Sequence, residues 1–351
     1  MSKVKVKGLS LEELAELLVG WGEQRYRAAQ VYSWIYGHLV TGYEAMTNLP
    51  AGLRARLSAE TELNALSVAS REYSQATGTV KLLFSLLDGQ VVEGVLMRYR
   101  NWFSACISTQ AGCRMGCRFC ASTLGGLARN LEPAEMVDEV LALEREARAA
   151  GGHVRSVVLM GTGEPLDNYA AVLRFLHLIA RPEGLGIGYR HISLSTCGLV
   201  PGIRRLAHEG LPLTLSVSLH APTDELRSRI MPINRRYPLA GLMAACREYA
   251  ALTGRRVTFE YALIAGVNDG LRQARQLAQL VSGLTAHVNL IPLNPVAERG
   301  FERPDARRVA LFAALLKARG IPTTVRRELG SDISAACGQL RHRVLTEEGE
   351  V

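Results

Sequence analysis

The chain has 351 residues, of which 48% are hydrophobic and 21% charged, with a formal net charge of +8. This length allows one large domain with a small accessory module, and seven cysteines in so long a chain do not make a disulfide scaffold. No apolar run approaches the roughly 20 residues of a membrane span, and residues 1–8 lack the apolar core of a signal peptide. We therefore expect a cytoplasmic protein whose clustered cysteines indicate metal binding or catalysis.

The first 65 residues have a helical pattern. Ser10 and Glu13 have the spacing of a capping box at the start of the first helix. A second helix is predicted over residues 26–36, and Pro50 marks the start of a third.

Residues 66–98 have the pattern of strands. Asp88-Gly89 predicts a hairpin between two of them, because this dipeptide suits a tight type I′ turn. Glu93 lies on the second strand of the hairpin, where a carboxylate ordinarily faces solvent.

From residue 99 onward, strands alternate with helices. The predicted strands are 104–109, 156–160, 191–195, 213–219, 257–264 and 287–291, with a final strand over 323–327. The predicted helices are 133–150, 169–179, 202–208, 239–253, 271–281 and 304–319. Six βα units predict a parallel sheet with helices outside it.

Polar or glycine-containing segments follow four of these strands, namely 161–164, 195–198, 218–220 and 294–295. In a βα barrel the loops after the strands converge on one mouth, where the active site is built. The pattern therefore predicts an α/β fold in the form of a partial (βα)6 TIM-like barrel. A doubly wound sheet also binds ligands at its strand ends and stays an alternative at this point.

Cys113, Cys117 and Cys120 form a CxxxCxxC motif after the first strand of this region. Thiolates bind iron–sulfur clusters, and three of them leave one iron of a [4Fe–4S] cluster open to a further ligand. In radical S-adenosylmethionine (SAM) enzymes the amino and carboxylate groups of SAM occupy that position. The alternative is a structural zinc site with Cys106 as fourth ligand, although the second CxxC knuckle typical of zinc ribbons is absent from the sequence.

Two further features are weaker evidence for a catalytic site when each is considered alone. Gly163 and Glu164 follow the second barrel strand, where glycine permits close backbone approach and the carboxylate suits the ammonium group of SAM. Cys337 lies in a late loop with glycines on both sides, and a lone cysteine is more often an inert buried residue.

Nearly the whole chain resembles the RlmN/Cfr family of radical SAM RNA methyltransferases, and within it the RlmN form of Gram-positive bacteria. The matching stretches are 28–36, 46–50, 112–131, 161–165, 218–222, 231–238, 288–292 and 335–340. The last of these, which contains Cys337, is close to diagnostic for the family.

The resemblance implies a mechanism with two SAM molecules. The first methylates Cys337, and the second is cleaved at the open iron to a radical that activates this methyl group for addition to C2 of an adenine. Glu93 then acts as proton acceptor, and Cys106 releases 2-methyladenosine by forming a transient disulfide with Cys337. The SAM contacts implied by the same resemblance are Gly163, Glu164, Ser195, Ser218, Leu219, His220 and Asn294.

The implied substrates are 23S rRNA, at an adenosine in the peptidyl-transferase region, and tRNA, at the adenosine 3′ to the anticodon. A reducing electron donor such as flavodoxin is implied, and we expect a monomer. The basic charge suits phosphate contacts but is equally explained by an arginine-rich genome.

Three units are predicted: an N-terminal RNA-docking domain over 1–65, a β-hairpin extension over 66–98 that carries Glu93, and the radical SAM core over 99–351. The docking arginines would be Arg25, Arg27, Arg54 and Arg56, which fit an ordinary solvated face equally well.

Three other functions stay open. A Cfr-type enzyme would methylate C8 of the same rRNA adenosine and confer antibiotic resistance. A non-catalytic metal-containing RNA-binding protein would need neither Cys337 nor Glu93, and a different radical SAM enzyme would act on a small molecule. Cys197 departs from the serine that the family more often has, which adds a thiol near the expected SAM site.

Overall fold

A computed structural model of the chain describes residues 3–100 and 102–340, and the backbone alone of 343–346 and 349–350. The N-terminal segment contains β1 (Val4–Lys5), α1 (Leu11–Gly20), α2 (Arg27–Tyr32), α3 (Ala51–Glu60) and β2 (Thr61–Glu62). The predicted capping box is confirmed, because the Ser10 hydroxyl accepts from the Glu13 N–H and the Glu13 carboxylate accepts from the Ser10 N–H. The predicted second helix changes to a π-helical turn at Ser33–Gly37. Pairing of β1 with β2 was not predicted, since two-residue strands have no periodicity.

The next segment is an antiparallel sheet. Its strands are β3 (Leu66–Tyr73), β4 (Val80–Leu86) and β5 (Gln90–Arg98), so the predicted hairpin is extended by a third strand. The predicted type I′ turn is wrong, because such a turn needs positive φ angles at both central residues. Gly89 has a φ of 81°, whereas the φ of Asp88 is not positive. The Asp88 carboxylate instead accepts hydrogen bonds from the Gln90 N–H and the Arg129 guanidinium.

The core is an open barrel. The strands that follow β5 are β6 (Phe103–Cys106), β7 (Gln110–Gly112), β8 (Leu127–Asn130), β9 (Val154–Leu159), β10 (Ile192–Thr196), β11 (Thr214–Ser218), β12 (Val257–Leu263), β13 (Ala286–Pro292) and β14 (Thr323–Val325). Of these, β7 and β8 pair with each other in a separate two-stranded antiparallel sheet. The parallel strands lie side by side in the order β6-β9-β10-β11-β12-β13-β14. Because this order never reverses, a doubly wound sheet is excluded. The predicted partial barrel is confirmed, with β5 extending it antiparallel to β6.

The helices of the barrel are α4 (Pro133–Ala149), α5 (Tyr169–Ala180), α6 (Val200–His208), α7 (Asp224–Ile230), α8 (Leu239–Thr253), α9 (Leu271–Val281) and α10 (Ala306–Ala318). Only α7 was not predicted, because seven residues are too few to show helical periodicity. Two C-terminal strands, β15 (Arg343–Thr346) and β16 (Gly349–Glu350), add to the sheet beside β5. Within the described residues, no helix is long and apolar enough to cross a membrane.

The N-terminal helices pack against the outside of α4 and α5. The ammonium group of Lys7 and the carboxylate of Asp138 on α4 form an ion pair whose side chains are each only 1% exposed. Asn64 and the backbone N–H of Ala65 bind the same pair, so three chain segments meet there. One buried apolar core continues from these helices into the barrel, and the boundaries predicted at residues 65 and 98 stay predictions.

We expect Asp138→Asn to lower the free energy of unfolding by about 3–5 kcal/mol, since it leaves the charge of Lys7 buried without a counter-charge. Urea denaturation measures this change. The control is Glu60→Gln, which breaks the exposed Arg56–Glu60 pair and should cost no more than about 1 kcal/mol. Equal effects of the two substitutions would show that the buried pair does not hold the N-terminal helices on the barrel.

Candidate active site

The loops after the parallel strands enclose an open cavity of about 960 Å³. The predicted site residues that line it are Cys113, Cys117, Cys120, Gly163, Glu164, Ser195, Ser218, His220, Asn294 and Cys337. The convergence of the four polar segments on one mouth is thereby confirmed, because parallel strands place all their C-terminal ends at one rim.

The three motif cysteines lie on the loop between β7 and β8. Their thiols are free and lie against the cavity. The Arg299 guanidinium holds this loop through the Cys120 carbonyl at 3.1 Å and the Thr123 hydroxyl at 2.6 Å. Burial raises the pKa of Cys113 to about 12 and also raises the pKa values of the other two thiols. Metal binding would therefore displace protons from all three.

These thiols fit a cluster better than a single ion. Among the described residues, no three His, Cys, Asp or Glu side chains converge closely enough to hold one metal ion. In a cluster each thiolate binds a different iron, so the sulfurs need not share one centre. Cys106, the fourth ligand of the zinc alternative, lines a different cavity. Donor chemistry and placement therefore fit a [4Fe–4S] cluster.

Glu164 links two of the converging loops. Its carboxylate accepts from the Leu166 N–H at 3.0 Å and from the Cys197 N–H at 2.7 Å. Burial raises the pKa of this carboxyl, while these hydrogen bonds favour its ionised form. The side chains of Thr196 and Cys197 also hydrogen-bond to this carboxylate, so the loop after β10 is attached to Glu164 by several contacts.

Gly163 is required by backbone packing. Its φ of 110° is disfavoured for side-chain-bearing residues, and a Cβ atom there would lie 2.7 Å from the Cβ of Gln110. Its missing side chain admits the strand that precedes the cysteine loop, and Gly163 also lines the cavity, so close approach of a ligand to this glycine stays a prediction.

His220 lines the cavity with its imidazole ring in one defined tautomer. Its Nδ1 accepts a hydrogen bond from the Ala262 N–H at 2.9 Å, which leaves Nε2 to carry the proton. Burial, together with the positive charge of Arg227, lowers the pKa of this histidine to about 3. The His220 ring makes a T-shaped contact with the ring of Phe119 on the cysteine loop. The backbone φ of His220 is 56°, which is unusual for a residue other than glycine. His220 is therefore a neutral hydrogen-bond donor in a constrained position.

Arg227, on the unpredicted helix α7, was missed by sequence reasoning. It is fully buried, and its guanidinium donates to the carbonyls of Cys197 at 2.7 Å, Leu219 at 3.0 Å and Ser218 at 3.1 Å. It thereby holds the ends of β10 and β11. A signal for α7 was present in the helix cap of Thr223 and the acidic residues after it, but burial of an arginine has no sequence signature.

Leu219 is the one predicted SAM contact that does not line the cavity. Its side chain is fully buried, and its backbone carbonyl accepts from Arg227. Its backbone N–H donates to the Glu260 carbonyl at 3.0 Å, so both backbone groups of Leu219 are bonded within the protein.

Cys337 lies between the large cavity and a smaller one, and lines both. Its loop is held on the cysteine loop, because the Ala121 N–H donates to the Gly338 carbonyl at 2.8 Å and the Ser122 hydroxyl donates to Leu340. Asn294 donates to the Cys337 carbonyl at 3.2 Å. The reactive position expected at Cys337 is thus fixed beside the three motif cysteines.

Cys106 lines the smaller cavity together with Cys337, Val95 and Met97. Burial raises the pKa of Cys106 to about 12, and the nearby charge of Arg326 acts in the opposite direction. Arg326 lines both cavities and lies 4.0 Å from the Glu260 carboxylate, a position that sequence reasoning also missed. The shared cavity supports the pairing of Cys106 with Cys337.

Glu93 is buried, not solvent-facing, and lines neither cavity. It shares one face of β5 with Val95 and Met97, because alternate residues of a strand point the same way. Those two residues line the cavity of Cys106 and Cys337. Glu93 therefore follows Val95 on the strand face that borders the smaller cavity, although Glu93 itself lies outside the cavity lining.

Three of the four arginines proposed for RNA docking make contacts within the N-terminal helices. Arg27 donates to Gln30, Arg54 to the Glu44 carbonyl, and Arg56 to Glu60. Arg25 is exposed. RNA docking by this set stays a prediction.

Residues 107–278 match the family model of the Radical SAM superfamily, and residues 4–63 match that of the Ribosomal RNA large subunit methyltransferase N-terminal domain. Curated relatives from Symbiobacterium thermophilum and Pelotomaculum thermopropionicum are both described as probable dual-specificity RNA methyltransferase RlmN. The first is 56% identical over 98% of this chain and 92% of its own length, the second 55% identical over 97% and 92%. A crystal structure of a radical SAM methyltransferase from Sphaerobacter thermophilus is 50% identical, has a TM-score of 0.94, and the match covers 96% of this chain and 99% of that one.

The low pKa of His220 predicts a pH dependence of stability in the apo protein. Between pH 6.5 and pH 3 the unfolded chain binds a proton at this ring that the folded protein does not, so stability falls as the pH falls. The slope attributable to His220 approaches about 1.4 kcal/mol per pH unit below pH 6.5. Urea unfolding should show a shallower decline between pH 6.5 and 5 for His220→Gln than for wild type. Histidine NMR should show that the His220 ring, protonated at Nε2, stays neutral at pH 5. Titration of this particular ring near pH 6.5 would contradict the assignment.

Proposed function

The chain belongs to the RlmN family of radical SAM RNA methyltransferases, and we propose that it methylates C2 of adenosine in both 23S rRNA and tRNA. The rRNA target is an adenosine of the peptidyl-transferase region, and the tRNA target is the adenosine 3′ to the anticodon. The observation that carries the proposal is the position of Cys337, which lines the cavity of the motif cysteines and also that of Cys106.

The enzyme uses a [4Fe–4S] cluster and SAM. We assign the cluster to Cys113, Cys117 and Cys120. When bound, cluster and SAM supply the radical chemistry that a ring carbon requires, because C2 of adenine is not nucleophilic. The residues assigned to hold SAM beside the cluster are Gly163, Glu164, Ser195, Ser218, Leu219, His220 and Asn294, and all of them except Leu219 line the larger cavity.

The chain contributes a methyl carrier and a thiol that releases the product. Cys337 carries the methyl group as its thioether, on a loop that Asn294 and the cysteine loop hold in place. After the base has bonded to this carbon, the Cys106 thiolate attacks the Cys337 sulfur and the carbon–sulfur bond breaks. The carbon keeps the bonding electron pair and takes up a proton, which completes the methyl group. The product leaves with the methyl group, and the two cysteines are left as a disulfide, which an external reductant such as a thiol reopens.

Glu93 is assigned as the acceptor of the C2 proton. A general base must reach the reacting atom, and Glu93 lies on the strand face that forms the wall around Cys106 and Cys337. The base itself must be turned out of the RNA structure, since proteins reach ring atoms of RNA in unstacked nucleotides. A reducing donor such as flavodoxin, a cytoplasmic location and a monomeric state complete the proposal.

The C8-methylating alternative is not favoured, because the curated relatives are described as RlmN and the N-terminal domain matches the methyltransferase family. The non-catalytic RNA-binding alternative does not explain why two cysteines outside the cluster motif share one cavity.

The function is tested by anaerobic reaction of the reconstituted enzyme with reductant, SAM and protein-free 23S rRNA or tRNA. We expect 2-methyladenosine in both RNAs by mass spectrometry. Cys337→Ala should abolish the product, and Glu93→Gln should lower its rate by about 100-fold or more, the usual contribution of a general base. A product of 8-methyladenosine would move the enzyme to the C8 class, and SAM cleavage without an RNA product would refute the substrate assignment.

The cluster assignment is tested by single cysteine substitutions. Replacing Cys113, Cys117 or Cys120 with alanine should abolish the visible absorption of the cluster and lower the bound iron. Replacing Cys106 or Cys197 should leave both unchanged, which makes these two thiols the matched controls. Stoichiometric zinc in place of iron, lost on replacement of Cys106, would support the structural zinc site instead.

A further inference from the structure

A buried lysine stands beside the proposed base. Lys81 on β4 is 8% exposed, and its ammonium nitrogen lies 3.5 Å from a carboxylate oxygen of Glu93, itself 6% exposed. The same nitrogen lies 2.9 Å from the carboxylate of Glu72 on β3, whose side chain is 47% exposed. A line of three charged groups therefore leads from the buried base to the solvent at the edge of the sheet.

Strand register places this line on the face of the smaller cavity. Lys81 pairs directly with Glu72 on one side and with Val95 on the other, and Val95 pairs with Cys106. Directly paired residues of an antiparallel sheet point to the same face, and Val95 and Cys106 line the cavity of Cys337. Glu93 is the diagonal neighbour of Lys81, at a distance that a long side chain can reach.

Stability alone does not account for this arrangement. Desolvation of a lysine and a glutamate costs several kcal/mol per ion, and an apolar pair of similar volume is often equally stable. The environment instead determines the charge of Glu93. Burial alone would favour the neutral acid, which cannot accept a proton, whereas an adjacent ammonium group favours the carboxylate.

We propose that Lys81 is a positioning residue that keeps Glu93 ionised and oriented, and that Glu72 is the outlet through which the abstracted proton reaches solvent. The inference rests on the proposed function, in which Glu93 accepts the C2 proton.

The proton balance closes over one turnover. The Glu93 carboxylate takes the C2 proton and becomes a carboxylic acid. Lys81 passes one of its protons to the Glu72 carboxylate and takes the proton of Glu93, so its charge is restored. Glu72 then releases its proton to water. One proton has moved from the RNA to solvent, and all three side chains have regained their starting charges.

The roles proposed for Lys81 and Glu72 affect different turnovers, so kinetic measurements distinguish them. Lys81→Met removes the charge that keeps Glu93 ionised, so it should slow the first turnover by about 10- to 100-fold, a part of the usual contribution of a general base. Glu72→Gln leaves the base ionised but blocks the outlet, so it should leave the first turnover unchanged and slow the later ones. Rates with enzyme in excess over RNA report the first turnover, and rates with RNA in excess report the later ones.

The matched control is Arg71→Met. Arg71 neighbours Glu72 on the same strand and forms an ion pair with Glu146 of α4, on the opposite face of the sheet. This substitution removes a charge and an ion pair from β3 without touching the proposed line, so both rates should equal those of wild type. Lys81→Arg keeps the charge and should restore most of the first-turnover rate that Lys81→Met loses.

An infrared measurement on the protein without cluster or RNA tests the charge of Glu93 directly. At neutral pH, Lys81→Met should show a protonated carboxylic acid band that is absent from wild type and from Lys81→Met/Glu93→Gln. Wild-type first-turnover rates in Lys81→Met, or no new band, would overturn the role of Lys81. Wild-type later turnovers in Glu72→Gln would overturn the outlet. Absence of 2-methyladenosine from the wild-type reaction would instead refute the proposed function, and the infrared result would still decide whether Lys81 ionises Glu93.

Discussion

The peptide groups around Cys197 are held between a buried anion and a buried cation, and the active-site cavity depends on this clamp. Glu164 accepts from the Cys197 N–H, and Arg227 donates to the Cys197 carbonyl, each at 2.7 Å. The same guanidinium binds carbonyls at the end of β11, so three strand-end loops are fixed relative to one another. Buried charged groups hold a geometry well when their hydrogen bonds are satisfied, because every alternative leaves a charge unsolvated.

The chemistry is divided between two adjoining cavities. The larger one contains the motif cysteines and the residues assigned to SAM, and the smaller one contains Cys106 with the wall that leads to Glu93. Cys337 belongs to both, so a group carried on its sulfur can meet the cofactor on one side and the releasing thiol on the other. The loop of Cys337 is bonded to the cysteine loop, which makes this position depend on the integrity of the cluster site.

The antiparallel strands β3, β4 and β5 extend the parallel sheet beside β6 and add a surface next to the smaller cavity. Val95 and Met97 of β5 line the smaller cavity, and the Lys81–Glu93 pair joins β4 and β5 on the same face. A strand interior positions a side chain rigidly, which suits a base that must meet one particular proton. The buried charges of Lys81 and Glu93 are tolerated there because they face each other.

The sequence by itself determined the barrel, the cysteine motif and the set of strand-end residues, because these depend on local periodicity and on short spacings. Resemblance to a family added Cys337, Cys106 and Glu93. Only the tertiary structure decided which groups meet. It placed the Arg227 guanidinium against the carbonyls of two strand-end loops, Cys337 between two cavities and Lys81 beside Glu93. It also showed that the strand before the cysteine loop packs against Gly163, which lines the larger cavity. These contacts join residues that are far apart in the chain. A charged residue has the same appearance in a sequence whether it is buried or exposed, so its burial and the strand register must be known before its partner can be identified.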